Sequence, residues 1–404
     1  MDLRPGYKQT EIGVIPEDWE VCPIRNVCKL INGRGFKPYE WRTSGLPIIR
    51  IQNLNGSDQF NYFDGSYDKK LEVDPGQLLF AWSGSRGTSF GPHVWPGPPG
   101  LLNYHTWKVQ VRDGKVHEPY FLHALRKLTT FIEDNAHGAS ALVHTQKWEM
   151  EGFEFPLPPT MAEQEAIAGA LSDADGLIEA LERLIAKKRQ IKQGAMQDLL
   201  TARRRLPGFA GEWEVKRLGE IGESIIGLTY APSDVRESGV LVLRSSNVSD
   251  GGLRFDDNVF VSKDINDRIM VRSGDILTCV RNGSRDLIGK CAKIDERCVG
   301  MTFGAFMAVF RTPFHNFVFH QFQSNILKRQ IHEHLGATIN QITNKSLNSF
   351  EVPLPQDRAE QTAIAAVLSD MDAEIAALDA KLAKARAVKQ GMMHNLLTGR
   401  IRLV

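Results

Sequence analysis

Two stretches of the chain carry apolar residues at seven-residue spacing. In the first, Leu171, Ile178, Ile185 and Leu199 form one row, and Ala174, Leu181 and Ala195 form the next. In the second the rows are Leu368, Ile375, Leu382, Leu396 and Met371, Leu378, Ala385, Met392. This is an a/d seam, the pattern of a helix that pairs with another helix rather than lying on a broad core. The stretches, 160–206 and 357–403, also align with each other without a gap, and about half of the aligned positions are identical. A capping box is predicted to open each helix, from Thr160 with Glu163 and from Asp357 with Glu360. Lys192 and Lys389 interrupt the seam at the same a position, where a lysine costs stability and either fixes register or marks a helix drifting off the seam near its end. Two matching helices in one chain are expected to pair with each other. A whole domain lies between them, which favours an antiparallel pair. Some forty helical residues span roughly 60 Å, so such a pair would act as a ruler.

The segments before and between the helices repeat more loosely. Trp19-Glu20-Val21 returns as Trp213-Glu214-Val215, with both tryptophans read as packing anchors. Leu46–Asn53 parallels Val240–Asn247, each a buried strand ending in polar residues. Gly76-Gln77-Leu78-Leu79 and Gly274-Asp275-Ile276-Leu277 each lead through a strand to a Gly-Ser-Arg tip, at 84–86 and 283–285. A further strand is predicted over 107–111 and 305–310, and an amphipathic helix over 120–131 and 317–331. Gly138-Ala139-Ser140 and Gly336-Ala337-Thr338 follow, then Thr145-Gln146-Lys147 and Thr343-Asn344-Lys345. An extended run closes each unit, at 153–158 and 350–355. The predicted fold class is α+β: two repeated mixed α/β domains, 1–159 and 207–356, separated by helices over 160–206 and 357–404 that form an intramolecular antiparallel coiled coil. A constant scaffold beneath unlike loops suggests two binding units with different targets.

Composition narrows the class. With 42% hydrophobic and 24% charged residues the chain of 404 is ordinary globular material, long enough for several domains. No apolar run is long enough for a membrane span, and Met1–Gly6 lacks the apolar core of a signal peptide. Five cysteines without CxxC spacing argue against a disulfide framework or structural zinc and fit a cytoplasmic location. A net charge of +1 argues against wrapping nucleic acid by bulk electrostatics, so DNA contacts would have to be local or shared with partners.

No catalytic motif stands. There is no GxGxxG opening a βαβ unit and no Asn-Pro-Pro-aromatic motif. The Gly283–Lys290 stretch has the wrong spacing for a phosphate loop, with Cys291 where Ser or Thr belongs. His332-Glu333-His334 lacks metalloprotease spacing, so neither catalytic residues nor a metal site are expected.

The Thr-Glu-Ile-Gly-x-Ile-Pro-x-x-Trp opening at 10–19 and the Glu-Gln-x-Ala-Ile-Ala entry to a heptad helix occur here together with the restart Leu206-Pro207-Gly208-Phe209-Ala210-Gly211-Glu212-Trp213. In this combination the whole chain resembles the specificity subunit of type I restriction–modification systems. The resemblance implies a non-catalytic subunit with two target-recognition domains, each reading half of a bipartite double-stranded DNA sequence, and a coiled coil that sets the spacer. It implies two modification (methyltransferase) subunits as partners, joined by restriction (translocase/nuclease) subunits. It places S-adenosylmethionine, ATP and Mg in those partners and no cofactor in this chain.

Arginine suits guanine, Asn and Gln suit adenine, and Ser and Thr reach several edges or phosphate. On that basis the candidate DNA contacts are Arg50, Asn53, Ser85, Arg86, Gln146 and Lys147 in the first domain. In the second they are Arg244, Asn247, Arg281, Asn282, Arg285, Asn344 and Lys345. Arg203-Arg204-Arg205 reads as a solvated helix end, with contact to phosphate or a partner subunit as the alternative. The competing readings are a protein-interaction scaffold with two globular binding domains and an enzyme with an unrecognised site, such as a methyltransferase in its own right.

Overall fold

The computed structural model describes residues 4–136, 142–249, 251–262, 264–335 and 340–403. Two predicted loop segments, Gly138-Ala139-Ser140 and Gly336-Ala337-Thr338, lie outside the described residues. The chain divides into two compact units, Met1–Leu181 with Lys381–Val404, and Glu182–Ala380. Each unit thus holds one globular body, half of the first long helix (Met161–Leu199) and half of the second (Arg358–Leu396).

In the first unit, four antiparallel strands lie in the order Gly91–Val94, Leu78–Ala81, Thr106–Val111, Cys28–Asn32. A second sheet runs Tyr62–Phe63, Leu46–Ile49, Gly100–Leu102, Glu72–Val73, with the middle pair parallel. Leu78–Ala81 is buried at every position, which is why it reads as a continuous apolar run rather than an alternation. A helix over Glu118–Asn135 packs Tyr120, Phe121 and Leu125 into the core. The predicted helix is therefore present, with one more turn at its C-terminal end.

The second unit repeats this plan. Its sheets run Glu223–Ile226, Met307–Arg311, Ile276–Cys279, Cys291–Lys293 and Val235–Arg236, Phe260–Val261, Val240–Leu243, Thr302–Phe303, again with one parallel pair. Its helix differs from the expectation of one element over 317–331. It is broken into His315–Gln323 and Asn325–His334. Ser324 is extended at ψ 158°, and both its N–H and its Oγ–H donate to the Gln321 carbonyl, at 3.0 and 2.7 Å. That closes the first segment and starts the next.

The long helices pair start to end inside each unit. In the first, Ile167, Ala168 and Leu171 share a core with Leu396, Leu397 and the globular residues Trp19 and Tyr120. In the second, Leu199 and Leu200 do the same with Ile364, Ala365, Leu368 and Phe317. The helices are therefore antiparallel. Their ends are broader than an a/d seam, because they join the globular cores, each buried Leu or Ile contributing roughly 1.5–3 kcal/mol. Away from the ends the seam holds as expected, with Leu181, Ile185 and Leu382 buried and Ile178, Ile375 and Leu378 half-buried.

The seam lysines find carboxylates. Lys389 pairs with Asp175, which also accepts from Arg126 at 2.7 Å. Lys192 pairs with Asp372 and donates to Gln323 at 3.0 Å. Beside each pair a buried histidine meets a helix serine: His123 with Ser172 at 3.3 Å, His320 with Ser369 at 3.1 Å. Burial holds both imidazoles well below their usual range, to about 4.

The helix entries depart from the predicted capping boxes. Thr160 Oγ1 does accept from the Glu163 N–H, and Asp357 accepts from the Ala359 N–H, one residue earlier than expected. The glutamates, however, do not turn back to the cap. Glu163, 1% exposed, takes two hydrogen bonds from Arg402. Glu360, 0% exposed, takes two from Arg205. A buried carboxylate is satisfied better by a bidentate guanidinium than by one backbone N–H. Arg205 is thus not part of a solvated helix end. The adjoining glutamines are occupied too, Gln164 Nε2 donating to the Pro158 carbonyl and Gln361 Nε2 to that of Pro355. Trp19 is fully buried under Arg402, as an anchor should be. Trp213 is only half-buried and donates to Glu360 at 3.3 Å.

Candidate nucleic-acid interface

In each unit the strand that pairs in parallel ends in a tight turn. In the first unit it runs from Arg50 into Ile51–Leu54. Asn53 Oδ1 accepts from the Arg50 N–H at 3.0 Å, and its Nδ2 donates to the Ser57 and Gln59 carbonyls, both at 3.0 Å. In the second unit Asn247 Oδ1 accepts from the Arg244 N–H at 2.9 Å, and Nδ2 donates to the Arg254 and Asp257 carbonyls. Both asparagines are buried, at 5% and 0% exposure. Their amides brace the turn and have no hydrogen left for a base, so the expectation that Asn53 and Asn247 touch DNA is corrected.

The arginines that open these turns differ. The Arg50 guanidinium lies over the Trp41 ring, 5.2 Å from its centre, and donates to Gln52 Oε1 at 2.7 Å. It lines a groove with Trp41, Gln52, Tyr104 and His105. Arg244 is instead held by the Asp257 carboxylate at 2.7 Å. The loop bearing Tyr104 and His105 follows Gly100–Leu102 and sits against Trp82, whose Nε1 donates to the Tyr104 carbonyl at 2.9 Å. Its counterpart in the second unit carries Phe306, 55% exposed, with the Arg281 guanidinium 5.1 Å from the ring centre. Gly33 and Gly227 let the neighbouring chain approach each loop: a Cβ would lie 1.9 Å from the Asn103 carbonyl oxygen at the first and 2.2 Å from that of Phe303 at the second.

The remaining candidates are at the surface with varied surroundings. Ser85 and Arg86 are exposed at the end of strand Ser83–Ser85, where the Ser85 N–H donates to Ser89 Oγ. Gln146 and Lys147 open the helix Lys147–Gly152, with Lys147 3.7 Å from Glu151. Asn282 donates to Ser245 Oγ at 3.4 Å and accepts from the Ser284 N–H. Arg285 donates to the Leu335 carbonyl at 2.9 Å, and Asn344 to the Ser224 carbonyl at 3.1 Å; Lys345 is exposed. The rings beside the arginines, Trp41, Tyr104, His105 and Phe306, were absent from the sequence-derived candidates. Their only signal is their place next to a strand that is itself recognisable in both repeats.

Nothing in these surroundings suggests chemistry. All five cysteines are free and buried, and burial pushes the Cys28 and Cys291 thiols up to about 12, away from nucleophilic thiolate. Among the described residues no cluster of His, Cys, Asp or Glu could hold a metal ion, and no helix is long and apolar enough to cross a membrane.

A family model, the type I restriction modification DNA specificity domain, matches residues 16–193 and again 210–385. The chain therefore belongs to this family and is a non-catalytic specificity subunit, whose duplicated domains recognise DNA. Among curated relatives it is similar to the type I restriction enzyme MjaVIII specificity subunit of Methanocaldococcus jannaschii, at 26% identity over 96% of this chain and 94% of that one. It is also similar to the putative MjaX specificity subunit of the same organism, at 28% identity over 98% and 97%. The fold matches the crystal structure of a type I restriction–modification S subunit from M. genitalium, with a TM-score of 0.63 and 15% identity over 98% of both chains.

Proposed function

We propose that the chain reads a bipartite DNA target, one half with each recognition domain, and that the helix pair sets the unread spacer and docks two modification subunits. The recognition domains are 1–159 and 207–356, and the connectors 160–206 and 357–404. The observation that carries this reading is the duplicated scaffold with unlike surroundings at its strand ends and loops, Trp41, Arg50 and Tyr104 in one unit and Arg281 and Phe306 in the other. Two frames of the same plan with different reading faces are what two different half-sites require. Ser85, Arg86, Gln146 and Lys147 in the first domain, and Asn282, Arg285, Asn344 and Lys345 in the second, supply further base or phosphate contacts. Modification subunits bring S-adenosylmethionine and most of the remaining phosphate contacts, which suits a net charge of only +1. Restriction subunits join that core through ATP- and Mg-dependent chemistry of their own, in the cytoplasm where the DNA lies.

The test is to map methylated bases in host DNA with this gene and its modification partner, and with the partner alone. A split motif with a fixed gap that appears only with this gene is the expected result. Methylation independent of the gene, or a continuous motif, would refute the reading.

A further inference from the structure

Resting on that reading, we propose that guanines are read by Arg50 in the first half-site and by Arg281 in the second, and that Arg244, although it occupies the position of Arg50 in the repeat, reads no base. Guanine offers two acceptors in the major groove, and a guanidinium satisfies both with a planar pair of N–H donors. The pairing discriminates best when the fork is already oriented and carries no competing anion.

Arg50 meets both conditions. Its guanidinium is stacked on Trp41 and tethered through one nitrogen to Gln52, and no carboxylate pairs with it among the described residues. The remaining nitrogens have donors for a base. Arg281 is exposed, lies over the half-exposed Phe306, and pairs with no carboxylate among the described residues. Its backbone is fixed beside the same loop, the Arg281 N–H donating to the Phe306 carbonyl at 3.1 Å. Arg244 fails the second condition, since the Asp257 carboxylate neutralises it at 2.7 Å and the Asp257 carbonyl accepts from the same nitrogen at 3.3 Å. The two domains therefore carry the same kind of reader on different elements, a strand-end turn in one and the strand end beside the aromatic loop in the other.

The experiment is to map methylation in hosts expressing the full chain with its modification partner, as the parent, R50A, R50Q, R281A and R244A. The parent is expected to show a required guanine in each half-site. R50A should make one guanine position of the first half degenerate, with its preference falling about tenfold or more. R50Q should move that position toward adenine, which glutamine pairs bidentately, an outcome that misfolding cannot produce. R281A should relax only the second half, and R244A should leave both halves as they were. For any variant that methylates nothing, competition between duplexes carrying each base at that position is measured on the purified complex. Discrimination retained there, a half-site without guanine, an unchanged motif in R50A and R50Q, or a motif altered by R244A would overturn the assignment. If the parent yields no split motif, the function itself is wrong; if it does and Arg50 has no effect, only this inference is.

Discussion

Removing Arg205 should destabilise the second unit far more than an ordinary surface substitution. Its guanidinium makes two hydrogen bonds to Glu360, whose side chain is fully buried, and lies over Trp213. In Arg205→Met the carboxylate keeps only the Trp213 indole, at 3.3 Å. A buried ion left without its partner costs about 3–5 kcal/mol. For a unit the size of Glu182–Ala380, each kcal/mol moves the melting midpoint by about 2–4 °C. The expected drop is therefore about 6–20 °C. The double variant Arg205→Met/Glu360→Met removes the stranded charge and should recover most of the loss, because an apolar pair of similar volume replaces a buried ion pair at little cost. Thermal unfolding of the parent, both single variants and the double variant completes the cycle. A drop below about 2 °C for Arg205→Met, or a double variant as unstable as the sum of the singles, would refute the reasoning, since no coupling would remain to attribute to the pair.

Acid should weaken both units through His123 and His320. An unfolded histidine titrates near 6.5 and these do so at about 4, so stability is full above 6.5 and is lost as pH falls from 6.5 toward 4. Arg126 and Lys389 beside His123, and Lys192 and Lys293 beside His320, reinforce the depression, while Asp175 and Asp372 oppose it. His123→Gln/His320→Gln should flatten that limb in denaturant titrations at stepped pH, and an unaltered slope would count against the assignment. Gly33→Ala should lower stability by about 1–3 kcal/mol, because its Cβ would meet the Asn103 backbone at 1.9 Å. Gly211→Ala, with open space around it, serves as the control, and equal melting curves would contradict the close approach. Four residues inserted after Ile185 add ~6 Å of helix, so methylated half-sites should move apart by one or two base pairs of ~3.4 Å each, with their bases unchanged. An unchanged gap would remove the helices from the role of ruler.

The helices were legible because a heptad pattern is a local signal that tertiary packing only confirms. Leu171, Leu181 and Leu382 are where the spacing puts them. The partners of Lys192 and Lys389 were not legible, since Asp372 and Asp175 lie on the other helix and become neighbours only when it packs antiparallel. Arg205 was misread for the same reason: three arginines after a helix resemble a solvated end until Glu360 arrives from far along the chain. At the candidate interface, residue type singled out Arg50 and Arg281, which lie at strand ends, Arg50 half-buried and Arg281 exposed. It failed for Asn53 and Asn247, because an asparagine that braces a turn and one that reads adenine have the same sequence signature. The stacked rings were missed because cation–π pairs depend on loop placement, which neither periodicity nor composition encodes.

The clamps made by Arg402 and Arg205 also bear on the order in which the chain can fold as it is made. The core around Trp19 is closed by Leu396, Leu397 and Arg402, and Tyr7 Oη donates to the Gly399 carbonyl at 2.9 Å. Those residues are synthesised some four hundred positions after the strands they complete, whereas Glu182–Ala380 has all its parts in one uninterrupted segment. Domains usually fold in the order of synthesis. Here the first to emerge is the last to close, and the ribosome must pass residue 402 before Glu163 is neutralised. Until then the N-terminal body exposes the apolar surface meant for the end of the second helix, an interval in which chaperones and proteases have access to it.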